Sequence, residues 1–285
     1  MSDGDVINLV RGQLDCCLKK IEDSLQADAL SYFGPIIFGA DAVLRNAIEG
    51  FKEHKPRLVV VLDTPGGVVE VVERMVDTMR HFYGEVVFIV PDRAMSAGTI
   101  LALSGDSIMM DYYSLLGPID PQIEKDNKLV PALGYLAQYE RMIERSKEGK
   151  LTTAEIALLQ KLDLGELQQF EEARALSIDL LKKWLVIYKF KDWKTSNSTG
   201  KAIDADYKTQ RAEEIATALS EPGRWHSHAR GIPMNVLRND LRLKIDDLEG
   251  QEVHRSIRDY FGVASDYISK QRINLFLHTR CFYLP

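Results

Sequence analysis

Two short segments carry residue types that could perform acyl-transfer chemistry. The first is Ala94-Met95-Ser96-Ala97-Gly98-Thr99, just past the strand-like run EVVFIVP and at the start of a helical pattern. It nearly matches the G-x-S-x-G turn, with Ala94 in the first glycine's place. It would set the Ser96 hydroxyl at a helix N-terminus, with the Ala97 N–H free for an oxyanion. Taken alone, Ser96 also reads as a plain N-cap, since serine is among the favoured caps. The second segment is Leu62-Asp63-Thr64-Pro65-Gly66-Gly67, which ends the run LVVVLD. Consecutive glycines let the backbone approach a ligand and aim N–H groups outward, although Pro-Gly-Gly by itself is only a turn. Together the segments say more than either does separately. Gly67 and Ser96 are 29 residues apart, the length of one βα unit. Neighbouring strand ends would then surround one carbonyl with the Gly66 and Gly67 N–H groups and the Ser96 hydroxyl.

The elements that must position these residues follow from periodicity. Strands are expected at 57–62, 85–90 and 107–110, with a short apolar run at 32–38, and helices at 40–51, 68–82 and from about 96. Strands alternating with helices of this length imply βαβ units and a parallel sheet, so the fold class is α/β. LVVVLD is an unbroken apolar run, three valines between two leucines, up to its final Asp63, as a strand covered on both faces requires. Before this region, residues 5–27 place Val6, Leu9, Val10, Leu14, Leu18, Ile21 and Leu25 at helical spacing, an amphipathic helix suited to packing or to an oligomer contact. After Pro131 long helical patterns run over 132–148, 153–163 and 166–190, and residues 192–206 read as a loop. A helix near 207–220, a turn at Glu221-Pro222-Gly223 and a final helical stretch from 252 to about 277 complete the chain. The organisation expected is an N-terminal helix over 1–28, a catalytic α/β domain over 29–190, a loop over 191–206 and an α-rich portion over 207–285.

Composition narrows the function classes. The 285 residues include 36 Lys+Arg and 42 Asp+Glu, a net charge of −6, so no global positive field invites nucleic acid or anionic lipid. No uncharged apolar run approaches the length of a membrane span, and the first twenty residues lack a signal peptide's basic start and apolar centre. Three cysteines, two of them the adjacent Cys16 and Cys17, suit neither a disulfide framework nor a metal knuckle. A cytoplasmic, reducing compartment is expected. His226 and His228 have no third ligand at metal spacing, so no metal site is expected.

LDTPGG, then AMSAGTILAL, then DSIMMDYYSLLGPIDPQ, in that order, resemble the ClpP/crotonase superfamily of serine peptidases. The likeness is to the signal-peptide-peptidase A group and its serine dehydrogenase proteinase branch, and is strongest over residues 30–125. The segment ALSEPGRWHSHARGIPMNVL is similar to a late helix, histidine turn and helix of that branch. The resemblance implies a ClpP/crotonase-like sheet and a serine peptidase without metal or organic cofactor. Ser96 would be the nucleophile, with Ala97 and one of Gly66 and Gly67 forming the oxyanion hole. A ClpP-type histidine is missing, because the position about 25 residues after Ser96 is Pro121, beside Asp120, and no histidine occurs between His81 and His226. A Ser-Lys dyad is the better analogy, and chain order selects Lys147 among Lys125, Lys128, Lys147, Lys150 and Lys161. A lysine base must be neutral near pH 7, which needs its pKa lowered from about 10.4 by burial or a nearby cation. The resemblance also implies a homo-oligomer acting on peptide or protein substrates. A crotonase-like acyl-CoA enzyme, which would lack the nucleophilic serine, and a non-catalytic scaffold or adaptor are the alternatives. An α/β-hydrolase using Ser96, Asp120 and His226 or His228 fits less well, because Pro91 ends the strand several residues before the serine.

Overall fold

The computed structural model describes residues 3–119, 122–125, 128–195, 200–225 and 230–284. In chain order, α1 (Asp3–Leu25) leads into β1 (Asp28–Phe33), α2 (Ala40–Glu49), β2 (Arg57–Asp63), α3 (Val69–Phe82) and β3 (Glu85–Val90). The two-residue β4 (Arg93–Ala94), α4 (Ala97–Leu103), β5 (Ser107–Met110) and β6 (Leu115–Leu116) follow. Next come the hairpin β7 (Gln122–Lys125) and β8 (Lys128–Pro131), then α5 (Ala132–Lys147), α6 (Thr153–Leu159) and α7 (Leu164–Trp184), which runs on into a π-helical turn over Leu185–Lys189. The remainder is α8 (Ala205–Leu219), α9 (Pro222–Trp225), β9 (Ile232–Pro233), α10 (Met234–Asn239), β10 (Asp246–Asp247), α11 (His254–Gln271), β11 (Phe276–Thr279) and β12 (Phe282–Leu284).

Seven strands form the central sheet in the order β10-β5-β3-β2-β1-β11-β12. The first five in that order are mutually parallel, whereas β11 runs antiparallel to β1 and β12 antiparallel to β11. Side chains alternate across it. Leu58, Val60 and Leu62 of β2 enter a core with α2, α3, α4, α7 and α8, while Val59 and Val61 enter a second core built by α1 and α11. The unbroken apolar run in β2 is thus a strand buried on both faces, as a parallel sheet demands. α1 contributes Leu14, Cys17, Leu18 and Ile21 to the second core, and Leu9 of the same pattern stays exposed.

Several boundaries differ from the periodicity. The apolar run at 32–38 is the end of a strand that begins at Asp28 and stops before Gly34, whose φ of 134° only glycine tolerates easily. The Pro222-Gly223 turn is the first half of a one-turn helix, with proline at its opening position, where the missing N–H costs nothing. The final helix ends at Gln271 on a left-handed Arg272 instead of reaching 277. The residues after it form β11, which inserts its buried Phe276 and Leu277 beside β1. Among the described residues no helix is long and apolar enough to cross a membrane.

Candidate active site

The glycine loop and the serine turn meet at the carboxyl ends of β2 and β3. Thr64 N–H donates to Arg93 O (3.0 Å) and Met95 N–H to Thr64 O (3.0 Å), so the loop leaving β2 and the segment leading to Ser96 are laced together as a short ladder. The loop is anchored on its other side by Ile36, whose N–H donates to Gly66 O (2.9 Å) and whose carbonyl accepts from Val68 N–H (2.8 Å). Both glycines are required by contact as well as by φ (96° and 148°). A Cβ on Gly66 would lie 2.5 Å from Met95 O and 2.9 Å from Ser96 Cβ, and one on Gly67 only 2.0 Å from Ile36 O. The Gly66 backbone therefore passes directly against Ser96.

Ser96 itself is held at φ 52° and ψ −118°, outside the regions an L-residue prefers, and is 1% exposed. It precedes the first residue of α4 yet makes no capping bond with its side chain, so the cap reading fails. The conformation is that of a sharp strand-to-helix turn, the kind that lifts a hydroxyl away from the helix it precedes. Below it, the Thr99 hydroxyl lies 2.8 Å from both Ala94 O and Gly117 O and accepts from Gly117 N–H (2.9 Å), fixing the turn to the segment after β6.

The amides divide cleanly. Gly66 N–H is occupied by Thr64 Oγ1 (3.0 Å). Among the described residues neither Gly67 N–H nor Ala97 N–H has an acceptor, Ala97 because it opens a helix and Gly67 because its neighbours make the bonds to Ile36. Two free donors thus flank one serine.

The structure brings Ser96, Gly66, Gly67 and Ala97 together but does not bring Lys147 to them. Lys147 lies in the last turn of α5, 66% exposed, with its ammonium 2.7 Å from Glu144 Oε1. Lys150 is exposed and paired with Glu148, and Lys161 is exposed. Lys125 and Lys128 are backbone partners in the β7–β8 pairing. Asp120, Pro121, His226 and His228 lie outside the described residues. The described histidines are engaged elsewhere: His54 is stacked on Phe82, His81 lies edge-on to that ring, His254 is bonded to Asp111, and His278 is buried between Tyr260 and Asp15. Burial lowers one lysine, Lys189 on the π-helical turn, to about 8. Among its neighbouring charges is Asp106, at the amino-terminal ends of β3 and β5, opposite the end that carries Ser96.

One feature of the site is invisible in the sequence. The Asp63 carboxyl is pushed up to about 6, chiefly by burial and then by Asp92, against the pull of the Arg93 guanidinium and of a hydrogen bond from Arg93 N–H. Its Oδ1 is buried without a partner among the described residues. A strand-ending aspartate before a turn gives no signal of such isolation.

Comparison with known proteins places this geometry in context. Residues 35–210 match the family described as ClpP-like SDH-type serine proteinase. Two uncharacterized proteins of Methanocaldococcus jannaschii are similar. One is 28% identical over 193 residues, covering 63% of this chain and 63% of its own length. The other is 29% identical over 149 residues, covering 50% of this chain and 48% of its own. The chain therefore spans between about half and two thirds of the length of these relatives. A mutant of 1510-N membrane-bound stomatin-specific protease superposes with a TM-score of 0.45 at 13% identity, over 80% of this chain and 82% of that one. With more than half of its residues matched, the chain belongs to the ClpP-like SDH-type serine proteinases.

Proposed function

We propose that this chain is a serine endopeptidase that hydrolyses peptide or protein substrates through an acyl-enzyme on Ser96. The observation that carries the reading is a buried serine in a strained turn with no capping duty, flanked by the unoccupied amides of Gly67 and Ala97. In the reaction the Ser96 hydroxyl loses its proton to a base as Oγ bonds the peptide carbonyl carbon. The carbonyl oxygen becomes an oxyanion held by the two N–H groups, and Gly66 keeps its loop in place through Thr64. The base returns the proton to the leaving amine, and water then releases the acyl group.

The base is a lysine in this reading, Lys147 first and Lys128 and Lys125 after it. In the single chain Lys147 is solvated and paired with Glu144, so it serves only if it leaves that partner and reaches a drier position beside Ser96. Assembly of several copies is part of the proposal. Phe38 stands exposed beyond the carboxyl end of β1, and Tyr112 and Tyr113 beyond that of β5, exposed aromatic rings of the sort that another subunit covers. The protein is proposed to work in the cytoplasm.

A serine-directed fluorophosphonate, followed by mapping of the modified residue, tests the nucleophile. Labelling at Ser96 that disappears in Ser96→Ala, with folding intact, is the expected result, and labelling that survives the substitution overturns it. Single Lys→Ala variants at 125, 128 and 147, compared by pH–rate profile with His226→Ala and His228→Ala, identify the base. Loss confined to a histidine variant would replace the dyad with a triad.

A further inference from the structure

We propose that Thr99 is a positioning residue for the Ser96 site, its buried hydroxyl acting as a clamp across the serine turn that keeps the strained backbone at Ser96 from relaxing. The inference rests on the peptidase reading and adds a residue to which neither the nucleophile nor the oxyanion amides assign a role. A threonine in a helix ordinarily turns its hydroxyl to the carbonyl three or four residues earlier, which here would be that of Ser96 or Met95. Thr99 does neither. Its hydroxyl lies 2.8 Å from Ala94 O, five residues back across the turn, and 2.8 Å from Gly117 O, in the segment after β6. It also accepts from Gly117 N–H (2.9 Å). Either carbonyl can take its one proton while a lone pair takes the amide, and the whole group is buried.

The groups joined by this clamp are not equivalent. Gly117 is fixed from outside the turn, since β6 lies between β4 and β9 and, two residues on, Ile119 N–H donates to the carbonyl of Leu219 at the end of α8 (3.0 Å). Its lack of a side chain lets the Met95 thioether lie against it, because a Cβ there would stand 2.8 Å from Met95 Cε and 3.0 Å from Met95 Cα. Ala94 and Thr99, by contrast, bracket the strained segment, with φ 52° at Ser96 between them. The backbone bonds inside that segment, Gly98 N–H to Met95 O (2.8 Å) and Thr99 N–H to Ser96 O (2.9 Å), are the opening of α4 and move with it. The hydroxyl instead ties both ends of the segment to an outside anchor. A disfavoured φ persists only where the surroundings over-determine it, and Thr99 supplies that constraint from the helix side as the bond from Met95 N–H to Thr64 O does from the loop side. Without the clamp the turn can relax toward an ordinary helix start, carrying the Ser96 hydroxyl and the Ala97 amide away from Gly67.

The test compares fluorophosphonate labelling of Ser96 in wild type, Thr99→Ala and Thr99→Ser, at a temperature where circular dichroism shows each chain folded. The saturating rate is separated from the half-saturating probe concentration. Thr99→Ala should lower the saturating rate about 10²-fold, the cost of a misplacement near 1 Å, and leave the half-saturating concentration unchanged. Thr99→Ser keeps the hydroxyl and loses only a methyl, so it should label close to the wild-type rate. Should the alanine chain not fold, Thr99→Cys, which fills the space with a weak donor, takes its place and should slow labelling about tenfold, the worth of one ordinary hydrogen bond. Labelling of Thr99→Ala or its stand-in at the wild-type rate, or Thr99→Ser slowed as much as either, overturns the proposal. A cycle with Ser96→Gly separates the clamp from the chemistry. In the wild-type background relaxation of Ser96 offsets part of the loss, whereas a glycine there has no strain to release, so the same Thr99 substitution should lower the urea midpoint more in Ser96→Gly. Equal midpoint shifts in the two backgrounds overturn the clamp. If Ser96 of wild type is never labelled, the peptidase reading fails, and the cycle still decides whether Thr99 holds the turn.

Discussion

Gly98→Ala is the perturbation whose size is most directly set by the structure. Gly98 is the second residue of α4, and a Cβ there would lie 2.3 Å from Thr64 Cγ2, against the 3.4 Å at which ordinary contact begins. The shortfall is too large for side-chain rotation to absorb, because the Thr64 hydroxyl is committed to Gly66 N–H and its main chain to Arg93 and Met95. Either α4 or the Thr64 loop must shift by roughly 1 Å, and each carries one of the two amides proposed as oxyanion donors. Overpacking of this kind costs about 1–3 kcal/mol, offset by about 1 kcal/mol from replacing a helical glycine with alanine. The stability loss should be modest, up to about 2 kcal/mol by urea denaturation, whereas labelling of Ser96 should slow about 10²-fold. Thr64→Ser removes the clashing methyl and keeps the hydroxyl, and alone should cost about 1 kcal/mol. In the double variant the rate should return to within tenfold of wild type, with a favourable coupling of about 1–3 kcal/mol. Additive losses within about 0.5 kcal/mol, or a Gly98→Ala protein that labels normally, would refute the claim that this contact sets the geometry.

Two further outcomes follow from local strain and charge. Ser96→Gly should abolish labelling yet match or exceed wild-type stability by up to about 2 kcal/mol, since it releases a φ of 52° worth about 1–3 kcal/mol against a smaller entropic cost in the unfolded chain; a clear drop in urea midpoint would contradict that strain. Asp106 is desolvated by burial, but hydrogen bonds from Lys191, Val86 N–H (2.7 Å) and Arg80 (2.7 Å) outweigh this and hold its carboxyl below the usual range. Its stabilisation is therefore complete above the unfolded carboxylate value near 4 and is lost as pH falls through the depressed folded value. Asp106→Asn should cost about 3–5 kcal/mol at pH 7 and remove that acid-side loss, measured by urea denaturation from pH 2 to 7.

The parts of the fold legible in the sequence are those where burial imposes a period. Arg57–Asp63, Glu85–Val90 and Ser107–Met110 are dense in β-branched or apolar residues because helices cover both faces. The serine turn and the glycine loop were legible because their chemistry needs small residues in a fixed order. β11 was not: four residues including His278 and Thr279 carry no alternation, and the helix before them ends on Arg272, not on the glycine that usually marks a left-handed stop. The π-helical turn after Trp184 keeps a helical pattern while changing its bonding, so composition cannot reveal it. Chain order can nominate Lys147, but whether a lysine stands dry beside a serine depends on neighbours far away in sequence, which no local pattern encodes; in the single chain Lys147 is exposed and paired with Glu144, three residues before it.

The insertion of β11 between β1 and β12 has a consequence for the chain as it is made. The Ser31 hydroxyl meets Tyr260 across 229 residues of sequence and the His278 carbonyl across 247. At about 5–20 residues per second, synthesis leaves β1 waiting for roughly 10–50 s after it emerges. Throughout that interval its outer edge offers unpaired N–H and C=O groups, and the α1 side of the sheet lies open where α11 will later pack. The parallel core of β1, β2, β3 and β5 can form from its own βαβ units meanwhile, so the last thirty residues act as a closing clasp and not as a nucleus. A nascent-chain ribosome stalled before residue 254 should therefore present a formed glycine loop and serine turn on a sheet with one sticky edge, and chaperone demand should fall when the clasp arrives.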